Sequence, residues 1–381
     1  MIEMNAQAAP MSTSRSGGAS DLASRPPRFH TLTVAEIRRE TADAVSVVFA
    51  VPAHLAADYG FEPGQYLTLR TTIDGEEVRR SYSICTAPDA GELRIAVKRV
   101  DTGAFSCWVN DELEVGDRID VMTPTGRFGL AATPGDNRVH VAFAAGSGIT
   151  PVLSILRGVL AREPKSRFFL FYGNRSSADV LFLEELEELK DRHLGRLSLF
   201  HVLSREEQDI PLLHGRLDGD KVCRLLTSLV PAAAVDHAFV CGPAGMIDDI
   251  VPTLESLGLP PDRIHVERFV SALGGRPRPP RAVAPDAPPA HMAAVIVDGK
   301  RRDVPVADGE AIIDAALRAG IELPFACKGG MCCTCRAKLV EGTAEMAVNY
   351  SLQPWELEAG YILTCQARPT SERVVVDYDQ V

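Results

Sequence analysis

Four cysteines near the C-terminus carry the most specific chemistry in this chain. Cys327, Cys332 and Cys335 follow a C-x4-C-x2-C spacing, and Cys365 comes after the strand-like stretch Tyr361 to Leu363. Three thiolates on one loop with a fourth far downstream is the ligand layout of a [2Fe-2S] cluster. Four thiolates also suit structural zinc, although zinc modules more often pair two short Cys-x2-Cys hairpins. Gly329 and Gly330 suit a backbone that wraps an inorganic core and turns N–H groups toward its sulfurs. Cys333 lies between two ligands without a place in the spacing and reads as a bystander. A cluster passes one electron at a time, so the rest of the chain must supply electrons to it or collect them.

A reduced nicotinamide gives electrons in pairs and needs an adaptor, for which a flavin serves. Arg80-Ser81-Tyr82-Ser83 offers a cation for a phosphate, an aromatic plane for a ring and a hydroxyl for a ring nitrogen. Such a tetrapeptide is ordinary on its own. It gains specificity from Pro63-Gly64-Gln65-Tyr66 upstream and from Gly103-Ala104-Phe105-Ser106 and Gly126-Arg127-Phe128 downstream. A second nucleotide site is suggested by Ala145-Gly146-Ser147-Gly148-Ile149-Thr150-Pro151, placed between a strand and a helix. Its glycines let the backbone approach a pyrophosphate, and Pro151 is tolerated in a first helical turn. Cys241-Gly242-Pro243-Ala244-Gly245-Met246 ends a later strand; read alone, Cys241 is a buried strand-end thiol.

These motifs need three scaffolds. From Phe29 to about Thr133 short β-branched runs alternate with turns: Ala44 to Val51, Gln65 to Thr72, Leu93 to Val100 and Arg118 to Met122. This pattern predicts an antiparallel β-barrel or sandwich. Beyond Arg138, apolar strands (Val139 to Ala144, Arg167 to Tyr172, Leu197 to Leu203, His237 to Cys241) alternate with helical stretches, which predicts an α/β domain on a parallel sheet. Gly274 to Pro289 is crowded with proline and predicts an extended spacer. After it, Ala293 to Val297 and Arg302 to Val306 flank an Asp298-Gly299 turn, and a helix follows over about Glu310 to Ala319. The expected division is a disordered tail over 1–28, a flavin domain over 29–133, a nucleotide domain over 134–271, a linker over 272–291 and a cluster domain over 292–381.

Composition narrows the function classes. A net charge of −11 disfavours a nucleic-acid partner, and a 46% apolar content is ample for folded domains. The first 28 residues lack the apolar core of a secretory signal. Val139 to Leu156 contains no charged residue, but Gly146, Ser147, Gly148, Thr150 and Pro151 interrupt it where a membrane span should be most apolar. The expectation is a cytoplasmic protein whose nine cysteines stay as thiols or metal ligands.

The flavin and nucleotide motifs together resemble the ferredoxin-NADP reductase superfamily. That resemblance implies that Arg80, Tyr82 and Ser83 hold the flavin and that the turn from Gly103 to Ser106 meets its pyrophosphate, hence FAD more than FMN. It implies a nicotinamide cradle of Gly146, Gly148, Thr150, Pro151, Gly242 and Pro243, with Cys241 near the hydride-transfer carbon. Tyr82, Ser83 and Cys241 would then be the catalytic set, with Glu267 and Phe269 near the flavin. Arg175, Ser204 and Arg205 resemble contacts to a 2′-phosphate and imply NADPH. The C-terminal module is similar to plant-type ferredoxins, which implies a β-grasp fold and Cys327, Cys332, Cys335 and Cys365 as cluster ligands. Through Gly330 to Cys335 and Asn349 to Gln366, the chain further resembles the reductase components of phenylacetyl-CoA epoxidases. That implies an electron relay from NADPH through FAD and the cluster to a di-iron oxygenase component, in phenylacetate catabolism. A reductase for a ring-hydroxylating or steroid oxygenase, or a redox sensor without turnover, is the alternative.

Overall fold

The computed structural model describes residues 27–130, 133–269 and 288–380. The expected N-terminal tail and nearly all of the expected spacer lie outside these residues. Three sheets of four or more strands organise the rest.

The first sheet contains β1 (Phe29–Thr41), β2 (Ala44–Ala50), β3 (Tyr66–Ile73), β4 (Glu76–Ser83), β5 (Leu93–Lys98) and β6 (Arg118–Met122), with helix α1 at Ala104–Asp111. Its order is β4-β3-β6-β1-β2-β5 and all its pairings are antiparallel. Alternation is clean on β1, where Leu32 and Val34 are buried beside exposed Thr33. Inward residues such as Leu67, Leu69, Ile95 and Val121 build the core against Phe105 of α1.

The second sheet is wholly parallel: β7 (Val139–Ala145), β8 (Arg167–Asn174), β9 (Leu197–Leu203), β10 (His237–Gly242) and β11 (Ile264–Arg268). Helices α2 (Ile149–Arg162), α3 (Leu183–Arg192), α4 (Gly219–Leu229) and α5 (Ala244–Ser256) supply the crossovers. Strands covered on both faces read as continuous apolar runs, as Val141 to Ala144 does, all 0% exposed. The order β11-β10-β7-β8-β9 sends the chain outward from β7 through β8 and then back to β10 on its other side. That reversal opens a crevice at the carboxyl ends of β7 and β10, where such sheets bind ligands.

The third sheet is mixed, with order β13-β12-β18-β14-β16. It contains β12 (Pro289–Val297), β13 (Lys300–Ala307), β14 (Arg336–Glu341), β16 (Tyr361–Leu363) and β18 (Arg373–Asp377), while β15 (Ala344–Met346) pairs with β17 (Ala367–Pro369) alongside. Helix α6 (Ile312–Arg318) buries Ile312, Ile313, Ala315 and Ala316 against it, and α7 (Pro354–Glu358) lies at its edge. Strand β12 starts at Pro289, so the last residues assigned to the linker belong to this sheet instead. Pairing with β13 from Pro289 onward extends the strand beyond its apolar run.

Side-chain contacts join the first two modules. Arg94 on β5 is 1% exposed and makes a bidentate pair with Glu185 of α3 at 2.6 and 2.8 Å. Ser154 of α2 donates to the Thr86 carbonyl at 2.6 Å. No helix among the described residues is long and apolar enough to cross a membrane.

Candidate functional site

Strands β3 and β4 pair with Tyr66 opposite Ser83 and Leu67 opposite Tyr82. Period-two alternation therefore puts Arg80 and Tyr82 on one face and Ser81 and Ser83 on the other. Tyr82 packs against Phe105 of α1, ring centroids 5.7 Å apart. Arg80 is exposed; its guanidinium donates to the Arg79 carbonyl at 2.7 Å and forms no ion pair among the described residues. Gly103 caps the start of α1, and the Ser106 hydroxyl accepts from the Val100 N–H while donating to the Gly103 carbonyl, both at 3.1 Å. A free cation, an aromatic face and the unpaired N–H groups of a helix start fit a flavin dinucleotide.

The other face of β4 leads to the nucleotide module. The Ser83 hydroxyl donates to Glu267 Oε2 at 2.9 Å, and Glu267 on β11 stands in register with Cys241 on β10. Burial pushes the Glu267 carboxyl up to about 8, and the Ser83 hydrogen bond pulls it partly back. Burial, then the neighbouring Glu267, pushes the Cys241 thiol well up, so it stays neutral. Ser83, Glu267 and Cys241 thus form one line across the boundary between sheets, with a carboxyl that holds a proton at neutral pH. Phe269, just beyond, packs on the apolar core around α2.

At the carboxyl end of β7, Gly146–Gly148 form a tight turn before α2. A Cβ on Gly148 would stand 2.1 Å from the Cys241 carbonyl oxygen, so only glycine lets these two motifs touch. Thr150 donates to the Ser147 carbonyl at 3.0 Å, and Pro151 sits in the first turn of α2. Gly242 ends β10, and Pro243 caps α5. These residues line the crevice that the strand order opens. Farther out, the ends of β8 and β9 run together: the Arg205 N–H donates to the Arg175 carbonyl at 2.8 Å and the Ser204 N–H to that of Asn174 at 3.0 Å. Both arginines are exposed, and neither forms an ion pair among the described residues.

In the third module the four cysteines come together as two pairs. Cys332 stands beside Cys327 and draws its thiol down, and the Gly329 N–H donates to the Cys327 sulfur at 3.3 Å. Cys335 likewise stands beside Cys365 and draws its thiol down, and the Gln366 side-chain amide donates to the Cys365 sulfur at 3.5 Å. No group of three or more His, Cys, Asp and Glu side chains among the described residues could hold one metal ion. Two pairs of sulfurs, each with an N–H donor on one member, suit two irons that take two thiolates each. Cys333 stands outside both pairs, half-buried against the apolar core of its sheet.

This loop faces the flavin sheet. The Tyr66 hydroxyl donates to the Cys332 carbonyl and lies 2.8 Å from Thr334 Oγ1. Around that contact, Arg127 pairs with Glu356 of α7 at 2.5 Å, Arg70 with Glu322 at 2.7 Å and Arg28 with Asp298 at 2.6 Å. The Arg79 guanidinium lies 4.0 Å from the Phe325 ring centroid.

Three family models match in this order along the chain: an oxidoreductase FAD-binding domain over residues 31–129, an oxidoreductase NAD-binding domain over 143–251 and a 2Fe-2S iron-sulfur cluster binding domain over 295–370. The E component of the 1,2-phenylacetyl-CoA epoxidase from Escherichia coli (strain K12) is 46% identical over 352 residues, 92% of this chain and 98% of that one. The chain belongs to the family of that epoxidase component. It is the NAD(P)H-dependent reductase component of a multicomponent oxygenase, relaying electrons through FAD and a 2Fe-2S cluster. The ferredoxin reductase component of 3-ketosteroid-9-alpha-monooxygenase from Rhodococcus rhodochrous is 33% identical over 91% of this chain and 96% of its own. The structure of phthalate dioxygenase reductase shares the fold, with a TM-score of 0.54 over 92% of this chain and 98% of that one at 23% identity.

Four residues with clear structural tasks escape sequence reasoning. Tyr66 and Arg127 lie inside motifs that give neither of them a task, and Glu356 and Arg94 are not singled out at all. Only Arg94 carries a local signal, a charged residue in the apolar run Leu93 to Val97. The others gain meaning from docking partners more than 200 positions away.

Proposed function

We propose that this reductase takes its electrons from NADPH and delivers them to the di-iron oxygenase component of a phenylacetyl-CoA epoxidase, in phenylacetate catabolism. The internal relay rests on one observation above others: a continuous line of contacts from Cys241 through Glu267, Ser83 and the Tyr66 strand pair to Cys332. Bound FAD supplies the conversion of a hydride's two electrons into single ones. Arg80 would hold a flavin phosphate, Tyr82 would support the ring, and Ser83 would orient a ring nitrogen. The turn from Gly103 to Ser106 would take the pyrophosphate. Gly146, Gly148, Thr150, Pro151, Gly242 and Pro243 would cradle the nicotinamide nucleotide, with Cys241 excluding water beside the reacting carbon. The Glu267 carboxyl would hold a proton at the point where the flavin is reduced.

Support for NADPH comes from Arg175 and Arg205, two exposed cations side by side with the Ser204 hydroxyl, chemistry that matches a 2′-phosphate. Support for the acceptor comes from the extent and level of identity to the Escherichia coli relative. Mixing the reductase with a purified phenylacetyl-CoA oxygenase and NADPH should give epoxide. Fast reduction of artificial acceptors without epoxide would overturn the acceptor. Hydroxylated steroid produced with a ketosteroid oxygenase, and no epoxide with the phenylacetyl-CoA oxygenase, would instead favour the partner type of the Rhodococcus relative.

A further inference from the structure

We propose that Tyr66 is the positioning residue that seats the cluster-binding loop against the flavin site, through paired hydrogen bonds to Cys332 and Thr334. The phenol has a single proton. A carbonyl can only accept, so Tyr66 donates that proton to the Cys332 oxygen, and Thr334 must donate its own to the phenol oxygen. Both partners lie within the segment from Cys332 to Cys335, between two cluster ligands, so these bonds fix the ligand loop directly.

The other end of Tyr66 is equally fixed. Its backbone exchanges hydrogen bonds with Thr125 at 2.8 and 3.0 Å and stands in register with Ser83. The ring is buried, 6% exposed, and passes over Gly126, where a Cβ would come within 2.9 Å of Cδ1. Gly126 has φ +116°, a conformation that favours glycine and leaves the ring its space. One rigid side chain therefore spans from the strand pair that carries Ser83 to the peptide that carries Cys332.

The surrounding contacts are of another kind. Arg70–Glu322 and Arg28–Asp298 involve half-exposed or exposed groups, which salt screens and which fix geometry loosely. Tyr66 is a buried, directional contact whose hydrogen bonds reach the ligand loop itself, whereas Arg127–Glu356 and Arg79–Phe325 join residues outside the segment from Cys332 to Cys335. Tyr66 neither gains nor loses the transferred electron; it sets the distance that the electron crosses.

The test compares Tyr66→Phe, Thr334→Val and the double variant as holoproteins, with flavin and iron content checked by visible absorption. Losing a buried hydrogen-bonded pair weakens seating by about tenfold. Hydrogen exchange at the amides of residues 331–335 should therefore accelerate by about tenfold in Tyr66→Phe. Stopped-flow bleaching of the flavin by NADPH should be unchanged, while reduction of the cluster slows. Thr334→Val should reproduce the effect, and the double variant should add little, because both changes break one network. Unchanged exchange and cluster reduction in Tyr66→Phe would overturn the proposal. So would additive losses in the double variant, or equal slowing of flavin bleaching, which would place the effect at the flavin instead.

Discussion

Arg127 of the flavin module and Arg336 of the cluster module converge on one carboxylate oxygen, Oε1 of Glu356, at 2.5 and 2.8 Å. The Glu356 side chain is 1% exposed and that of Arg336 10%, whereas the Arg127 side chain is 46% exposed. The carboxylate therefore holds a buried cation within its own module and a solvated one across the boundary. These two ion pairs differ in worth. Glu356→Gln strands Arg336 in a buried position and should cost about 3 kcal/mol of cluster-module stability. Arg127→Ala should cost less than about 1 kcal/mol, because its pair is half in water. Thermal unfolding followed by loss of cluster absorbance measures both. Equal losses would mean that Arg336 finds another partner.

The protonated Glu267 carboxyl gives stability an unusual pH dependence. Its ordinary value is 4.5, and in the folded chain it rises to about 8. Between those values the folded state binds a proton that the unfolded state has released, so this group's contribution falls as pH rises. Glu267→Gln keeps an oxygen to accept from Ser83 and has nothing to titrate. The holoprotein variant should unfold at a higher temperature than the parent at pH 9 and at a similar one near pH 4. Parallel curves for the two proteins across that span would show that Glu267 titrates alike in the folded and unfolded chains.

How much of this was legible in the sequence depends on how far each determinant reaches along the chain. The cysteine spacing, the tetrapeptide from Arg80 to Ser83 and the turn from Gly146 to Pro151 act over a few residues, and strand periodicity placed each on its element. Glu267 enters only through the family resemblance, and its bond to Ser83 crosses 184 positions. Tyr66 and Thr334 are 268 apart and Arg127 and Glu356 229 apart. No period or propensity encodes such pairs, because they form only when two finished modules meet. Strand β1 was hidden for a different reason: Glu36, Arg38, Arg39 and Glu40 blur its alternation, and bulges interrupt its register with β2 near Val34 and Arg39.

Coenzyme preference should reside in Arg175 and Arg205. Each would offer a charge-assisted hydrogen bond to a 2′-phosphate, and exposure keeps its worth at the low end. Changing either to Ala should raise KM for NADPH by about tenfold, with kcat and the NADH parameters little altered. An equal loss with NADH would show that the arginines hold the shared part of the nucleotide.

The cluster assignment makes a sharper demand on two adjacent residues. Cys332 and Cys333 are neighbours, yet only Cys332 belongs to a sulfur pair, while Cys333 packs toward the apolar core. Tyr66 bonds the Cys332 carbonyl and not its sulfur, so Cys332→Ala removes the proposed ligand thiol without removing that contact. Cys332→Ala should lose the cluster's visible and electron paramagnetic resonance signals and electron delivery to the oxygenase, while flavin reduction by NADPH survives. Cys333→Ala should retain iron, signal and delivery. Loss of flavin reduction in a folded Cys332→Ala protein would contradict a modular relay, because the nicotinamide end of the path contains none of the altered atoms. Loss of iron in Cys333→Ala would instead move the fourth ligand, since the cluster can take only four thiolates and five cysteines surround it.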